Sequence, residues 1–298
     1  MIKTDQFIIN LASEHNLHLQ PELEFNEMGA DFLVAFAKDT ADKKWVLRIP
    51  RRDNLAERIT LESRILQLVA QKLTVSVPEW QIETDRLIAY PLLDAMPALT
   101  YDATTYEVHW NMDKESRLYT PALANVLTEL HSISEQEAKE VGVKILSPEA
   151  MRQEVKDRID LVKKEMGMSK ELETRWNTWV DNDALWPGFG TFVHGDLYAG
   201  HVLTEKDGTI RGIIDWSEAH ISDPAIDFAG HSAVFGEEST RDLIHEYERL
   251  GGRTWDKLFE QAVERQASSP LNYAAFALQS NDEKHLAGAR YQLGVLQS

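Results

Sequence analysis

The chain reads as an α+β protein in two parts, a small strand-rich lobe over residues 1–92 and a larger helical lobe over residues 93–298. Three observations predict this. β-branched and aromatic runs separated by short polar turns crowd the first ninety or so residues. Pro91 and Pro97 then interrupt the chain, and each removes a backbone donor. Beyond them, apolar positions recur mostly at helical spacing.

Residues 23–28, 31–37 and 43–49 are β-type runs, parted by Gly29-Ala30 and by the polar turn Lys38-Asp39-Thr40-Ala41-Asp42. Between Asp53 and Lys72 the apolar residues Leu55, Ile59, Ile65, Leu66 and Val69 fall on one face of a helix. Strands resume at residues 75–82 and 86–90, and the stretch 90–97 is the expected crossing between lobes. Helices are expected over residues 121–134, 148–166, 170–183, 239–250, 255–267 and 282–296. In that half only residues 191–215 carry strand-type sequence, expected as a small hairpin turning at Lys206-Asp207-Gly208. No internal repeat, low-complexity tract or Gly/Ser linker divides the chain.

Composition narrows the function. With 298 residues, 43% of them hydrophobic, and eight Trp, there is ample material for packed cores. The absence of Cys rules out disulfides and thiolate metal sites. The segment Met1-Ile2-Lys3-Thr4-Asp5-Gln6 lacks the basic-then-apolar pattern of a secretory leader, and no stretch approaches about 18 uninterrupted apolar residues. A soluble cytoplasmic protein without membrane attachment is expected. The net charge of −18 would repel a phosphate backbone, which argues against nucleic acid as a partner. It suits a cationic small molecule, although acidity serves solubility equally well. Nothing in the sequence calls for an obligate protein partner.

The chemistry concentrates in the run Thr191 to Leu203 and in Ile213-Ile214-Asp215-Trp216. A β-type run delivers Asp196 into a loop, His201 follows five positions later, and a second apolar run ends in Asp215. This is a layout for phosphoryl transfer. Asp196 can accept a proton from a substrate hydroxyl, while His201 and Asp215 can hold a metal on nucleotide phosphates. The plainer alternative is that both Asp residues only cap turns after strands.

The motifs His194-Gly195-Asp196, His201, Ile214-Asp215-Trp216 and Asp223-Pro224-Ala225-Ile226-Asp227 resemble the aminoglycoside phosphotransferase family of small-molecule kinases. The strand Trp45-Val46-Leu47-Arg48-Ile49-Pro50-Arg51-Arg52, and His201 where relatives more usually carry Asn, resemble its macrolide 2'-phosphotransferase branch. The resemblance implies a protein-kinase-like fold of two lobes. It implies GTP as donor, and as acceptor the 2'-hydroxyl of a macrolide's desosamine sugar, whose modification gives antibiotic resistance. Alternatives are an aminoglycoside or another hydroxylated small molecule as acceptor, or a catalytically silent nucleotide-binding module.

Within that frame Asp196 is the expected base, and Asp215 is a hard oxygen ligand suited to Mg²⁺. His201 is the second ligand; imidazole suits softer ions and so leaves room for Mn²⁺. Arg48 stands where kinases carry a phosphate-binding Lys and can bind phosphate in bidentate fashion. Glu62 is its expected ion-pair partner, with Glu57 as the other option. Met28 and Gly29 belong to the loop expected over the phosphates, and Tyr90, Pro91 and Leu92 would offer backbone groups to the base. Tyr198, Tyr273, Phe276 and Ala277 could wall the acceptor, or simply pack helices. Asp223 and Asp227 are expected to be structural, capping the helix near Ala225 and tying down the loop of Asp196. His131, at the end of an apolar helix, is expected to be a packed or capping residue.

Overall fold

A computed structural model describes residues 5–26, 31–102, 107–280 and 282–295. Met28 and Gly29 lie outside the described residues. The chain forms two compact units, the first comprising Met1–Ser116 and Gly200–Ser217, the second Arg117–Ala199 and Glu218–Ser298. The first is rich in β structure and the second mostly helical, giving an α+β fold.

The first unit contains α1 (Asp5–Ser13), β1 (Glu24–Asn26), β2 (Phe32–Lys38), β3 (Lys44–Pro50), α2 (Ala56–Lys72), β4 (Ile82–Glu83), β5 (Ile88–Pro91), β6 (Met96–Pro97), β7 (Leu99–Tyr101) and β8 (Val108–Trp110). It regains the chain at β10 (Val202–Thr204) and β11 (Ile210–Ile213), while β9 (Thr191–Val193) belongs to the second unit. Its main sheet runs β1-β2-β3-β5-β4.

Asp39 closes the β2–β3 turn. One carboxylate oxygen accepts the N–H groups of Ala41 and Lys43 at 2.8 and 3.0 Å, and the other accepts Trp45 Nε1 at 2.9 Å. Strand β3 then alternates. Trp45, Leu47 and Ile49 enter a core with Ile8, Leu11 and Ala12 of α1, while Val46 joins Leu55 and Ile59 beside α2 on the other face. The sheet is thus covered on both sides, and the cover from α1 was not expected from the sequence.

The expected boundary at residue 92 moves to Ser116, and the hairpin at 200–217 joins the first unit. Backbone pairing is the reason. β10 pairs with β6 and β11, Ala98 donates to the Val202 carbonyl at 2.8 Å, and Ser76 exchanges bonds of 2.9 Å with Arg211 and Ile213. Strand structure expected over residues 75–82 shrinks to Ile82–Glu83, in keeping with Pro78, which has no N–H to donate.

In the second unit, α3 (Tyr119–His131) precedes α4 (Glu135–Val141), α5 (Pro148–Glu165) and α6 (Lys170–Asp181). After β9 come β12 (His220–Ser222), α7 (Ala225–Arg249), α8 (Leu258–Ala267), α9 (Ser269–Ser280) and α10 (Glu283–Gln292). Ser134, Ser147 and Ser169 cap the N-termini of α4, α5 and α6 through their side chains. Val155, Ile159, Trp176, Trp179, Leu271, Ala274 and Ala289 share one core across α5, α6, α9 and α10. No helix among the described residues is long and apolar enough to cross a membrane.

His231 on α7 gives this unit a pH dependence. It is buried, stacks with Phe235 at 4.6 Å and Tyr119 at 6.2 Å, and places Nε2 2.8 Å from Ser239 Oγ. Nδ1 has no hydrogen-bond partner. Burial pushes the imidazole down from 6.5 to about 4, because the charged form would lose its water. The unfolded state therefore binds a proton that the folded state refuses. The stability is present above pH 6.5 and lost as pH falls through about 4. His231→Phe is expected to flatten this acid-side loss, measured as the difference between urea midpoints of the two proteins from pH 7 down to 4. Parallel curves would refute it.

Candidate active site

The predicted site residues fall in both units, Arg48, Glu62, Tyr90, His201 and Asp215 in the first and Asp196, Tyr198, Tyr273 and Phe276 in the second. In the first, Arg48 projects from β3 and meets Glu62 of α2 in a two-pronged pair, Nη1–Oε1 at 2.5 Å and Nη2–Oε2 at 3.1 Å. Their side chains are 13% and 5% exposed, so the geometry is held by packing rather than left to solvent. The guanidinium lies over the rings of Phe32 at 4.3 Å and Trp80 at 5.6 Å. Burial works against its charge, but Glu62, Tyr90 and Asp215 together hold it firmly protonated. Burial pushes the Glu62 carboxyl up, and the Arg48 charge opposes that shift.

Asp215 follows β11 with a left-handed backbone (φ 66°), a strained state for a residue with a side chain. Its carboxylate is 46% exposed, accepts Ser217 Oγ at 3.1 Å, and stands 3.5 Å from His201 Nε2. The turn keeps the two together because Ile214 donates its N–H to the His201 carbonyl at 3.0 Å. One carboxylate and one imidazole suit a divalent cation that takes its remaining ligands from phosphate and water. Among the described residues no group of three or more His, Cys, Asp or Glu could by itself hold a metal ion.

Tyr90 is buried and its hydroxyl is pushed up to about 12, chiefly by desolvation. It pairs with Val46, and Leu92 gives its N–H to the Lys44 carbonyl at 2.9 Å. That N–H, just past β5, is taken by β3 and is not free for a base edge.

In the second unit β9 delivers His194-Gly195-Asp196, paired through β12 with His220 opposite Val193. His194 is fully buried and Asp196 exposed, so the loop presents the carboxylate outward. Gly195 has φ 88°, and a Cβ there would lie 2.3 Å from the Glu218 carbonyl oxygen, so only glycine fits. Asp196 donates its N–H to His194 Nδ1 at 3.3 Å.

Asp227 of α7, entirely buried, accepts the backbone N–H groups of His194 and Gly195 at 2.8 and 3.0 Å. Burial would raise its pKa, but the hydrogen bonds and positive potential from His131 and His194 hold it below the usual range. Asp223, one residue before the N-cap Pro224 of α7, accepts the N–H of Ala225 at 2.9 Å. Its other oxygen takes Gln261 Nε2 at 2.7 Å and Arg265 Nε at 2.9 Å.

On α9, Tyr273 bonds His285 Nδ1 at 3.0 Å, and Phe276 meets the same imidazole edge-on at 5.0 Å. Ala277 is fully buried in the helical core and presents no surface to a ligand, because α9 turns that face toward the core it shares with α5. Tyr198 is 36% exposed in the loop after Asp196.

Sequence reasoning did not pick out Phe32 and Trp80 as the rings around Arg48, nor Gln261, Arg265 and Tyr247 as partners of the buried polar groups. Phe32 carried a signal, since it alternates with Val34 and Phe36 along β2. The others lie in an irregular loop or on helix faces whose partners are remote in sequence.

A strand-borne guanidinium with its carboxylate partner and a His–Asp pair in the first unit, and a glycine-shaped loop presenting an Asp in the second, are groups of the kind that a phosphotransferase uses. The chain belongs to the phosphotransferase enzyme family, whose profile matches residues 22–260. It is 41% identical over 291 residues to protein YcbJ of Bacillus subtilis strain 168, covering 97% of this chain and 95% of that one. Among solved structures it is similar to a macrolide 2'-phosphotransferase type I, with TM-score 0.93, 37% identity, and 100% and 99% of the two chains covered. It is also similar to macrolide 2'-phosphotransferase MphH from Brachybacterium faecium, with TM-score 0.87, 34% identity and 98% of each chain covered. The enzyme transfers phosphate to a hydroxyl acceptor.

Proposed function

We propose that the chain transfers the γ-phosphate of GTP to the 2'-hydroxyl of the desosamine sugar of a macrolide, inactivating the antibiotic. The observation that carries this reading is the similarity to two macrolide 2'-phosphotransferases over essentially the whole of each chain, above 30% identity in both cases. An aminoglycoside 2'-phosphotransferase shares the fold at TM-score 0.76 but only 17% identity.

In this reading the exposed Asp196 accepts the proton of the attacking hydroxyl. Arg48, kept charged and oriented by Glu62, grips phosphate oxygens in bidentate fashion. Asp215 and His201 would hold Mg²⁺, which when bound supplies neutralisation of phosphate charge. Asp227 and Gly195 shape the loop so that Asp196 needs no reorganisation at the moment of transfer. Tyr198, Tyr273 and Phe276 are the proposed apolar contacts for a large lactone, which carries a single amine where aminoglycosides carry several.

Purified protein with GTP is expected to add the mass of one phosphate to erythromycin and none to kanamycin, with a higher kcat/KM for GTP than for ATP. Efficient phosphorylation of kanamycin with erythromycin untouched would move the acceptor to the aminoglycosides. Equal efficiency with both nucleotides would remove the GTP preference.

A further inference from the structure

Behind the loop of Asp196, within the helical unit, lies a chain of buried hydrogen bonds that the transfer reaction does not itself require. Asp227 accepts three donors, the N–H groups of His194 and Gly195 and, at 3.2 Å, the Nε2 of His131. The other ring nitrogen of His131 lies 2.9 Å from the hydroxyl of Tyr247, two residues before the end of α7. The His131 and Asp227 side chains are 2% and 0% exposed, so no solvent competes.

The polarity of this chain is set at its carboxylate end. A carboxylate only accepts, so Nε2 of His131 carries a proton, and the other ring nitrogen is left to bond the Tyr247 hydroxyl, which can donate or accept. The backbone of Arg253, just past α7, also interacts with the Tyr247 hydroxyl. The Tyr247 ring is clamped as well. A Cβ on Gly252 would lie 2.3 Å from its Cζ, so the chain after α7 crosses directly over the ring. Phe228 packs edge-on against Tyr247 at 5.2 Å and His131 at 6.2 Å, closing the remaining side.

We propose that Tyr247 and His131 are positioning residues for catalysis, orienting Asp227 so that it holds the His194 and Gly195 amides and thereby fixes the direction of Asp196. The assignment rests on Asp196 as the base. Neither residue touches substrate; both act through Asp227. Each link in a buried chain polarises the next, and removing one leaves a desolvated group without its partner.

The test uses Tyr247→Phe, which deletes one oxygen, together with His131→Leu and His131→Gln. Gln can donate its amide to Asp227 and accept from Tyr247, reproducing both bonds. Tyr247→Phe is expected to lower kcat by roughly 10-fold and to speed hydrogen exchange of the His194 and Gly195 amides by about the same factor. The nucleotide KM should stay within about twofold, since Arg48, Glu62, His201 and Asp215 belong to the other unit. His131→Leu should lose more, His131→Gln should recover part of that loss, and His131→Leu with Tyr247→Phe should be no worse than His131→Leu alone. The proposal is overturned if the variants fold and lose melting temperature while kcat and the two amide exchange rates match the parent. Exchange needs no substrate, so a parent protein inactive on erythromycin would sink the acceptor reading and still leave the relay decided by the amides.

Discussion

Asp196→Ala is expected to lower kcat by roughly 10²- to 10⁴-fold while nucleotide affinity stays within about twofold. The carboxylate is exposed, at the tip of a loop whose backbone is pinned from behind by Asp227 and whose turn admits only Gly195. Removing a side chain that points outward from such a loop leaves the support intact. The loss is therefore chemical rather than structural. Steady-state kinetics at saturating GTP and erythromycin, alongside a fluorescent-nucleotide titration and a melting curve, separate the possibilities. A folded variant with near-parental turnover would remove Asp196 from the reaction. A variant that loses nucleotide binding as well would show that the loop is built on this carboxylate.

The second large effect concerns the buried pair Arg48–Glu62. Glu62→Ala is expected to cost about 3–5 kcal/mol of unfolding free energy, because it strands a largely buried guanidinium without its carboxylate. Replacing both partners, as Arg48→Met with Glu62→Leu, should recover most of that stability, since apolar side chains of similar volume fill the same space beside Phe32 and Trp80. Nucleotide binding should behave differently. Both the single and the double variant are expected to raise the nucleotide KM, the double one at least as much, because no cation then meets the phosphates. Urea titrations and nucleotide kinetics on the three proteins test this divergence. Recovery of both properties together in the double variant would mean that the pair serves the fold alone.

These effects bear on how far local sequence carries the site. The β2–β3 turn was legible because Asp39 bonds residues two and four positions away, and helix α2 because its apolar residues keep one face over its whole length. Asp196 and Asp215 were legible for a similar reason. Each sits at the end of a short apolar run, and the backbone immediately around it, a glycine at φ 88° or a bond from Ile214 to His201, makes the turn that exposes it. The pairing of Arg48 with Glu62 spans fourteen positions, still within one strand–helix step.

What only the tertiary structure decided lies at longer range. His131 and Tyr247 are 116 positions apart, and Asp223 meets Arg265 across 42. No period or turn signal links them, because each sits on a helix whose own sequence pattern reports which face is apolar but not which helix it will meet. The same holds for Ala277, whose helix offers small and aromatic residues on several faces; α9 packs on α5 and α10, which turned it inward. The hairpin of β10 and β11 reads in sequence as part of the helical half, yet its edges are satisfied by β6 and Ser76, which place it in the strand-rich unit. The sequence alone determined the turns that present the candidate groups Asp196 and Asp215, since those depend on bonds within a few residues. Packing decided what stands behind them, since a buried polar group must find its partner wherever the fold brings one.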